Sequence, residues 1–161
     1  MSNGEAAMSD LARTDAIPVP EGFVPFALYE GFLETVGPLF WSTEGGRGRM
    51  GIRIEKRHCN VAGICHGGML MTIADMQLGM GTRVQAGIDK FLPTINMSCD
   101  FVRGAPLGSW VEGETDVIRT TRNLAFARCI LRADGEEVFA GNGIMKIPSR
   151  DDHVRINLAD L

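Results

Sequence analysis

The chain has 161 residues, a formal net charge of −4 and 45% hydrophobic residues. This length and composition predict one domain with a sizeable hydrophobic core. An acidic chain without a basic block suits neither nucleic acid nor an anionic membrane as a partner, so we expect neither. The N-terminus lacks the pattern of a signal peptide, and Asp75 and several glycines interrupt the longest apolar run. We therefore expect a cytoplasmic protein without a transmembrane helix.

The four cysteines are too few and too scattered for a disulfide framework, and no CxxC pair occurs. Reduced thiols in a cytoplasm are the expectation. The cluster His58-Cys59 and Cys65-His66 has the residue types of a metal site, but its spacing matches no common zinc pattern. We therefore expect no metal.

The sequence pattern of the first half of the chain predicts one helix and two strands. Residues 1–20 are predicted to form a flexible tail that ends in a proline-rich stretch. Apolar residues at helical spacing predict a helix over residues 26–36. Residues 38–43 are a short candidate strand, and the alternation from Met50 to Ile54 predicts another strand after a glycine-rich turn.

The sequence pattern of the second half predicts one long helix followed only by strands. The apolar stretch from Gly67 to Val84 predicts the helix, although its internal glycines would weaken it in isolation. Asp134 and Gly135 indicate a tight hairpin turn. Alternating or apolar segments predict four strands, over residues 94–103, 109–120, 124–133 and 137–148. A second tail over residues 149–161 would leave 21–148 as the folded domain.

One long helix followed by a strand meander predicts an α+β fold in which the helix packs on an antiparallel sheet. A helix that is apolar on all sides must be covered on all sides. The concave face of a curved sheet, together with a second subunit, would supply that cover.

Polar residues around the start of this helix suggest chemistry. A helix that begins with Gly67 and Gly68 presents free backbone N–H groups at the positive end of its dipole, which suits a carbonyl oxygen that becomes an oxyanion. Asp75 is the one carboxylate in the apolar run, and an acid is costly there unless it is used. It could act as a nucleophile or a base. Asn60 could orient a water or a carbonyl.

Gly67 and Asp75 cannot act on one atom within a single chain, because eight residues of helix span about 12 Å. Two copies of the helix packed antiparallel about a two-fold axis would bring the start of one helix near the middle of the other. We therefore expect an active site that is shared between subunits and occurs twice per dimer.

The motif formed by Asn60, His66-Gly67-Gly68 and Asp75 resembles that of the hot-dog-fold acyl-CoA thioesterases of the PaaI type, in the 4-hydroxybenzoyl-CoA thioesterase superfamily. The resemblance extends over residues 38–147 and includes the segment FVRGAPLGS. It implies a long central helix wrapped by a curved antiparallel sheet, and a homodimer or a dimer of dimers. The implied activity is hydrolysis of an acyl- or aroyl-CoA thioester.

The resemblance also implies residue roles. Asp75 would be nucleophile or general base, and the Gly67 N–H would polarise the thioester carbonyl. Asn60 would position the leaving thiol or the water, and His66 would bind or orient the same end of the substrate. Thr94 would assist from the following strand.

Substrate contacts are predicted at four further residues. Gly68 belongs to the same helix start, and Arg103, Arg119 or Arg122 could hold the CoA phosphates, because Arg suits bidentate phosphate contacts. A thiolate is a good leaving group, so the reaction needs no cofactor, and CoA enters as part of the substrate.

Several alternatives stay open on sequence. His66 could only cap the helix, Asn60 could only brace a loop, and Thr94 could be an ordinary strand residue. The whole protein could be a non-catalytic acyl-CoA binder or sensor, or a hot-dog hydratase. The sequence does not choose the acyl group, the nucleophilic or general-base role of Asp75, dimer or tetramer, or the phosphate-binding arginine.

Overall fold

A long helix lies against a single antiparallel sheet in the computed structural model, which describes residues 18–27 and 31–149. The predicted α+β arrangement is confirmed. Most of the two predicted tails falls outside the described residues. The elements, in chain order, are β1 (Val24–Pro25), α1 (Phe32–Val36), β2 (Phe40–Ser42), β3 (Arg49–Arg53), α2 (Gly67–Ala86), β4 (Thr94–Phe101), β5 (Trp110–Thr120), β6 (Leu124–Ala133) and β7 (Glu136–Lys146).

The sheet has seven strands in the order β1-β2-β3-β5-β6-β7-β4, so β1 and β4 form its two edges. The β6–β7 hairpin turns at Asp134 and Gly135, as the sequence predicts, and both have positive φ, of 47° and 89°. Such a turn matches the twist of the flanking strands. Strand β4 follows α2 in sequence but pairs with β7, so the meander β5-β6-β7 lies between β3 and β4.

The predicted N-terminal helix is wrong at its start. Val24 and Pro25 pair with β2, and the Phe26 N–H donates to the Leu39 carbonyl at 2.9 Å, so this segment is extended. Gly31 has φ of 65°, and α1 begins only after it. Strand pairing therefore overrides the helical spacing of the apolar residues. Residues 28–30 of the predicted helix lie outside the described residues.

Helix α2 is anchored to the sheet by one buried amide. The Gln77 side chain accepts a hydrogen bond from the Met50 N–H at 2.6 Å and donates to the Gly48 carbonyl at 2.9 Å and to Thr115 Oγ1 at 2.8 Å. Gly81 lets the helix approach β5 closely, because a Cβ there would lie 2.4 Å from Thr115 Oγ1. These contacts fix both the rotation and the position of α2 on the sheet.

The opposite side of α2 and the edge strand β4 are open among the described residues of the single chain, on the side for which the sequence analysis expects a second subunit. Asp75 is half-buried, and Met71 is 38% exposed. On β4, Ile95 and Phe101 are 57% and 52% exposed. Among the described residues, no helix has the length and hydropathy needed to cross a membrane.

Replacing Gln77 by Met should lower the free energy of unfolding by about 3 kcal/mol, because it leaves the buried Met50 N–H and Gly48 carbonyl without partners. Gln85→Met is the matched control, since Gln85 is only half-buried and water can replace its hydrogen bonds to β5. Urea denaturation of both variants measures the difference. Equal losses would contradict the anchoring role of Gln77.

Candidate active site

The N-terminus of α2 is capped by a histidine. His66 has extended backbone angles (φ −62°, ψ 137°), and its Nδ1 accepts a hydrogen bond from the Gly68 N–H at 2.9 Å. Its carbonyl accepts from the Met69 and Leu70 N–H groups at 2.8 and 3.2 Å. His66 Nδ1 therefore caps the helix, and a contact between His66 and a substrate stays a prediction.

The Gly67 N–H has no acceptor among the described residues, and it stands at the first position of α2. A Cβ at this position would lie 3.0 Å from the Phe101 ring, so a glycine lets the aromatic side chain lie against the helix start. A free N–H at the positive end of a helix dipole is suited to an oxygen that gains negative charge.

Asp75 lies two turns further along α2 and is held by Thr94. The Thr94 hydroxyl, at the first residue of β4, donates to Asp75 Oδ1 at 2.6 Å. The carboxylate is half-buried, so the single chain does not bear the cost of a fully buried acid. The predicted pair of Asp75 and Thr94 is therefore in contact, with the second carboxylate oxygen available for another partner.

Asn60 forms a turn in the loop that leads to α2. Its Oδ1 accepts from the Ala62 N–H at 2.9 Å, and its main chain exchanges hydrogen bonds with Gly63 and Ile64. This is the loop-bracing geometry. The side-chain NH₂ group has no acceptor among the described residues, so a contact with substrate through that group stays a prediction.

A cavity of about 390 Å³ opens beside the capped end of α2. Apolar side chains of α1 and α2 form much of it, and His66 and Gly68 border it. Asp75 is not among its lining residues, although Thr72, one turn before it, is. The complete lining is Phe32, Thr35, Val36, Arg57, His58, His66, Gly68, Met69 and Thr72.

Two residues that line the cavity were not predicted there from the sequence: Arg57 was not considered, and His58 was considered only as a metal ligand. Burial, and secondarily the charge of Arg57, lowers the pKa of His58, so its ring is neutral and its Nδ1 accepts the Glu55 N–H at 2.9 Å. The Arg57 guanidinium donates to the Gly37 carbonyl and contacts Glu55 at 3.1 Å. The sequence offered no periodic signal for this short 3₁₀ turn over Lys56–His58.

The predicted phosphate-binding arginines lie at two ends of the sheet. Arg119 and Arg122 are exposed at the β5–β6 hairpin, at the end of the sheet where Thr94 begins β4. Neither forms an ion pair with another described residue. Arg103 follows the other end of β4 and pairs with Glu136 at 3.1 Å, with both side chains largely exposed.

A metal centre has no support in the described part of the chain, where no group of three or more His, Cys, Asp or Glu side chains could hold an ion. His58, Cys59, Cys65 and His66 therefore do not assemble into a ligand set. The Cys59 and Cys65 side chains instead contact the main-chain carbonyls of Glu55 and His66.

Comparisons with known proteins fit this geometry. A model of the thioesterase superfamily matches residues 62–140, which include the start of α2, Asp75 and Thr94. A Pseudomonas aeruginosa protein named "Putative esterase PA0474" is 32% identical over 131 residues, which cover 81% of this chain and 98% of that protein. The chain belongs to the thioesterase superfamily. Membership places it among the thioester hydrolases in general.

Solved structures confirm the hot-dog fold. A variant of the phenylacetic acid degradation protein PaaI from Thermus thermophilus superimposes with a TM-score of 0.64 at 20% identity, over 74% of this chain and 100% of that one. A hypothetical thioesterase protein with coenzyme A from Streptococcus pneumoniae has a TM-score of 0.57 at 16% identity, over 64% of this chain and 79% of that one.

His66→Ala should lower the free energy of unfolding by about 1 kcal/mol, because the Gly68 N–H loses its acceptor. His66→Asn is the matched control, since Asn is a strong N-cap and should restore most of that stability. Thermal unfolding of the two variants measures the cap. If Ala and Asn are equally destabilising, the ring does not act through its hydrogen bond to Gly68.

Proposed function

We propose that this superfamily member is an acyl-CoA thioesterase, which hydrolyses an acyl- or aroyl-CoA to the free acid and CoA at a site shared by two subunits. The observation that carries the proposal is that one helix contains both a Gly67 N–H without an acceptor among the described residues and a half-buried Asp75 carboxylate. The two groups are about 12 Å apart along the axis, too far to act on one carbonyl within a chain.

The open surface of the single chain supports a two-fold partner. Strand β4 is a sheet edge with exposed apolar residues, and the face of α2 next to it contains Met71 and Asp75. An exposed apolar edge strand is a template for pairing with another chain. A second copy that pairs here would place the two α2 helices side by side and antiparallel, so that Gly67 of one subunit approaches Asp75 of the other.

The reaction follows from these two groups. The thioester oxygen accepts the Gly67 N–H, which stabilises the negative charge that develops on it. The partner subunit's Asp75 either attacks the carbonyl carbon, forming an anhydride that water hydrolyses, or removes a proton from a water that attacks. In both routes the carbon–sulfur bond breaks and CoA leaves as a thiolate. Thr94 orients the carboxylate through its 2.6 Å hydrogen bond.

A CoA ester as substrate is supported by three observations. The Streptococcus pneumoniae protein on the same fold contains coenzyme A. The cavity beside His66 and Gly68 has an apolar part, formed by Phe32, Val36 and Met69, which suits an acyl group. Arg119 and Arg122 are exposed cations that could contact the phosphates of CoA.

Asp75→Asn should lower kcat/KM at least about a hundredfold, because Asn keeps the shape and can still accept the Thr94 hydroxyl but is neither nucleophile nor base. Asp116→Asn, which removes an exposed acid paired with Arg128, is the matched control and should keep normal activity. Release of free thiol from short, long, branched and aromatic acyl-CoAs measures the effect. Unchanged hydrolysis would remove Asp75 from the mechanism, and a wild type that binds acyl-CoA but never releases thiol would indicate a binding protein.

A shared site can be tested by complementation. Gly67→Pro removes the N–H and adds a Cβ that would lie 3.0 Å from the Phe101 ring, an effect that it shares with Gly67→Ala. Proline is otherwise compatible with this position, since it is favoured at the first helical position and His66 already has the extended ψ of 137° that precedes proline. Gly67→Ala is the control that keeps the N–H. Gly67→Pro and Asp75→Asn should each be inactive, yet an equal mixture of the two subunits should regain about a quarter of wild-type activity, because about half of the dimers are heterodimers and one of the two sites in each is intact. No recovery, with heterodimers present, would place both groups in one chain.

A further inference from the structure

We infer that Cys59 and Cys65 form an intramolecular disulfide on oxidation, which closes the loop that carries Asn60 and so controls the site. The effect on activity rests on the proposed function, whereas the formation of the disulfide does not. Both cysteines are free thiols in the structure. They lie at the two ends of the loop between the Lys56–His58 turn and α2, and they precede Asn60 and His66 directly.

The ladder geometry places the two side chains together. Cys59 and Cys65 are directly opposite in an isolated antiparallel bridge. The flanking hydrogen bonds run from Asn60 N–H to Ile64 O at 2.9 Å and from His66 N–H to His58 O at 2.8 Å. This pattern defines a non-hydrogen-bonded pair, in which the Cα atoms are about 4.5 Å apart and the side chains stand on one face. A disulfide needs Cα atoms roughly 4.4–6.8 Å apart, so the pair can be bridged.

The other two cysteines provide an internal contrast. Cys99 on β4 and Cys129 on β6 are both opposite Gly141 of β7, from its two sides. They are therefore two strand spacings apart, about 9.6 Å, which exceeds the reach of a disulfide. A disulfide is therefore predicted between Cys59 and Cys65 and not between Cys99 and Cys129.

The two thiols differ in access, which sets the order of the chemistry. Cys59 is half-buried, whereas Cys65 belongs to the core, and burial raises the pKa of Cys65 to about 12. The Cys59 thiolate would attack a small disulfide such as oxidised glutathione, releasing one glutathione thiol and leaving a mixed disulfide. Cys65 lies opposite this mixed disulfide, so after losing its proton to solvent it attacks the Cys59 sulfur and releases the second glutathione as a thiolate, which takes up a proton; the raised pKa of Cys65 makes this second step the slower one. Two protein thiols are oxidised, and one disulfide is reduced to two thiols.

The disulfide would act on the site through the loop. A Cα separation of about 4.5 Å is at the short end of the disulfide range, so closing the bridge shifts the two loop arms relative to each other. Asn60 is attached to one arm, and the N-cap His66 to the other. A displacement near 1 Å of groups that position a substrate lowers activity strongly, and we expect a loss on the order of tenfold in kcat/KM.

Peptide mapping tests the disulfide without any assay of activity. Cleavage after Lys and Arg gives one peptide, residues 58–83, with only Cys59 and Cys65, while Cys99 and Cys129 fall in separate peptides. After oxidised glutathione and then N-ethylmaleimide, peptide 58–83 should be lighter by two hydrogen atoms and carry no label. Cys99 and Cys129 should stay out of any intramolecular disulfide. Two labels on peptide 58–83, or glutathione that remains on Cys59, would overturn the inference.

Variants connect the bridge to activity. Cys59→Ser, at the half-buried position, should abolish the mass loss and make thiol release insensitive to oxidised glutathione, and Cys99→Ser should change neither. Dithiothreitol should reduce the disulfide and restore the activity of the oxidised wild type. If the disulfide forms but activity is unchanged, control of the site is overturned. If no thioester is cleaved before oxidation, the proposed function fails, while the mass result still decides whether the pair closes.

Discussion

The distance between Gly67 and Asp75 along one rigid helix is the constraint on which the site depends. A helix rises about 1.5 Å per residue and does not fold back on itself, so its free N–H and its acid are separated by two turns. Neither group can be brought to the other by rotation of a side chain. Any reaction that needs both must use a second copy of the helix, and the proposed second copy would bind the face of α2 beside the edge strand β4, which the described residues leave open.

The distance between Gly67 and Asp75 requires a second helix only because hydrogen bonds and close packing fix α2 on the sheet. Gln77 is buried at the middle of the helix and joins β3, the preceding loop and β5 through three hydrogen bonds. Gly81 and Gly113 remove the Cβ atoms that would hold the two elements apart. Asp75 is two residues before Gln77 on the chain and therefore points away from the sheet, toward the open face. The anchor of the core thus also sets the direction of the acid.

Much of this organisation could be predicted from the sequence, and the misses have physical reasons. A long apolar stretch located α2, and alternating or apolar segments located the four strands that follow it. Strands β6 and β7 bury one face regularly, whereas β4 is largely exposed in the single chain. Near the N-terminus, the apolar residues around Phe26 have helical spacing, but pairing with β2 makes that segment extended, which is a long-range contact. The Thr94 hydroxyl lies against the Asp75 carboxylate, as the motif suggests, and the roles that the motif implies for the two residues stay predictions. Arg57 and His58 were not predicted to line the cavity, because a short 3₁₀ turn has no period.

The start of α2 combines three requirements that explain its two glycines. Gly67 must present its N–H while the Phe101 ring lies against it, and a side chain would displace that ring. At Gly68 a Cβ would lie 3.2 Å from His66 Nδ1, so the absence of a side chain lets the imidazole cap the helix and border the cavity. The cap, the proposed oxyanion donor and part of the cavity wall are therefore built from three consecutive residues, His66 to Gly68. The loop with Cys59 and Cys65 leads directly into this segment, so the proposed disulfide would act on all three at once.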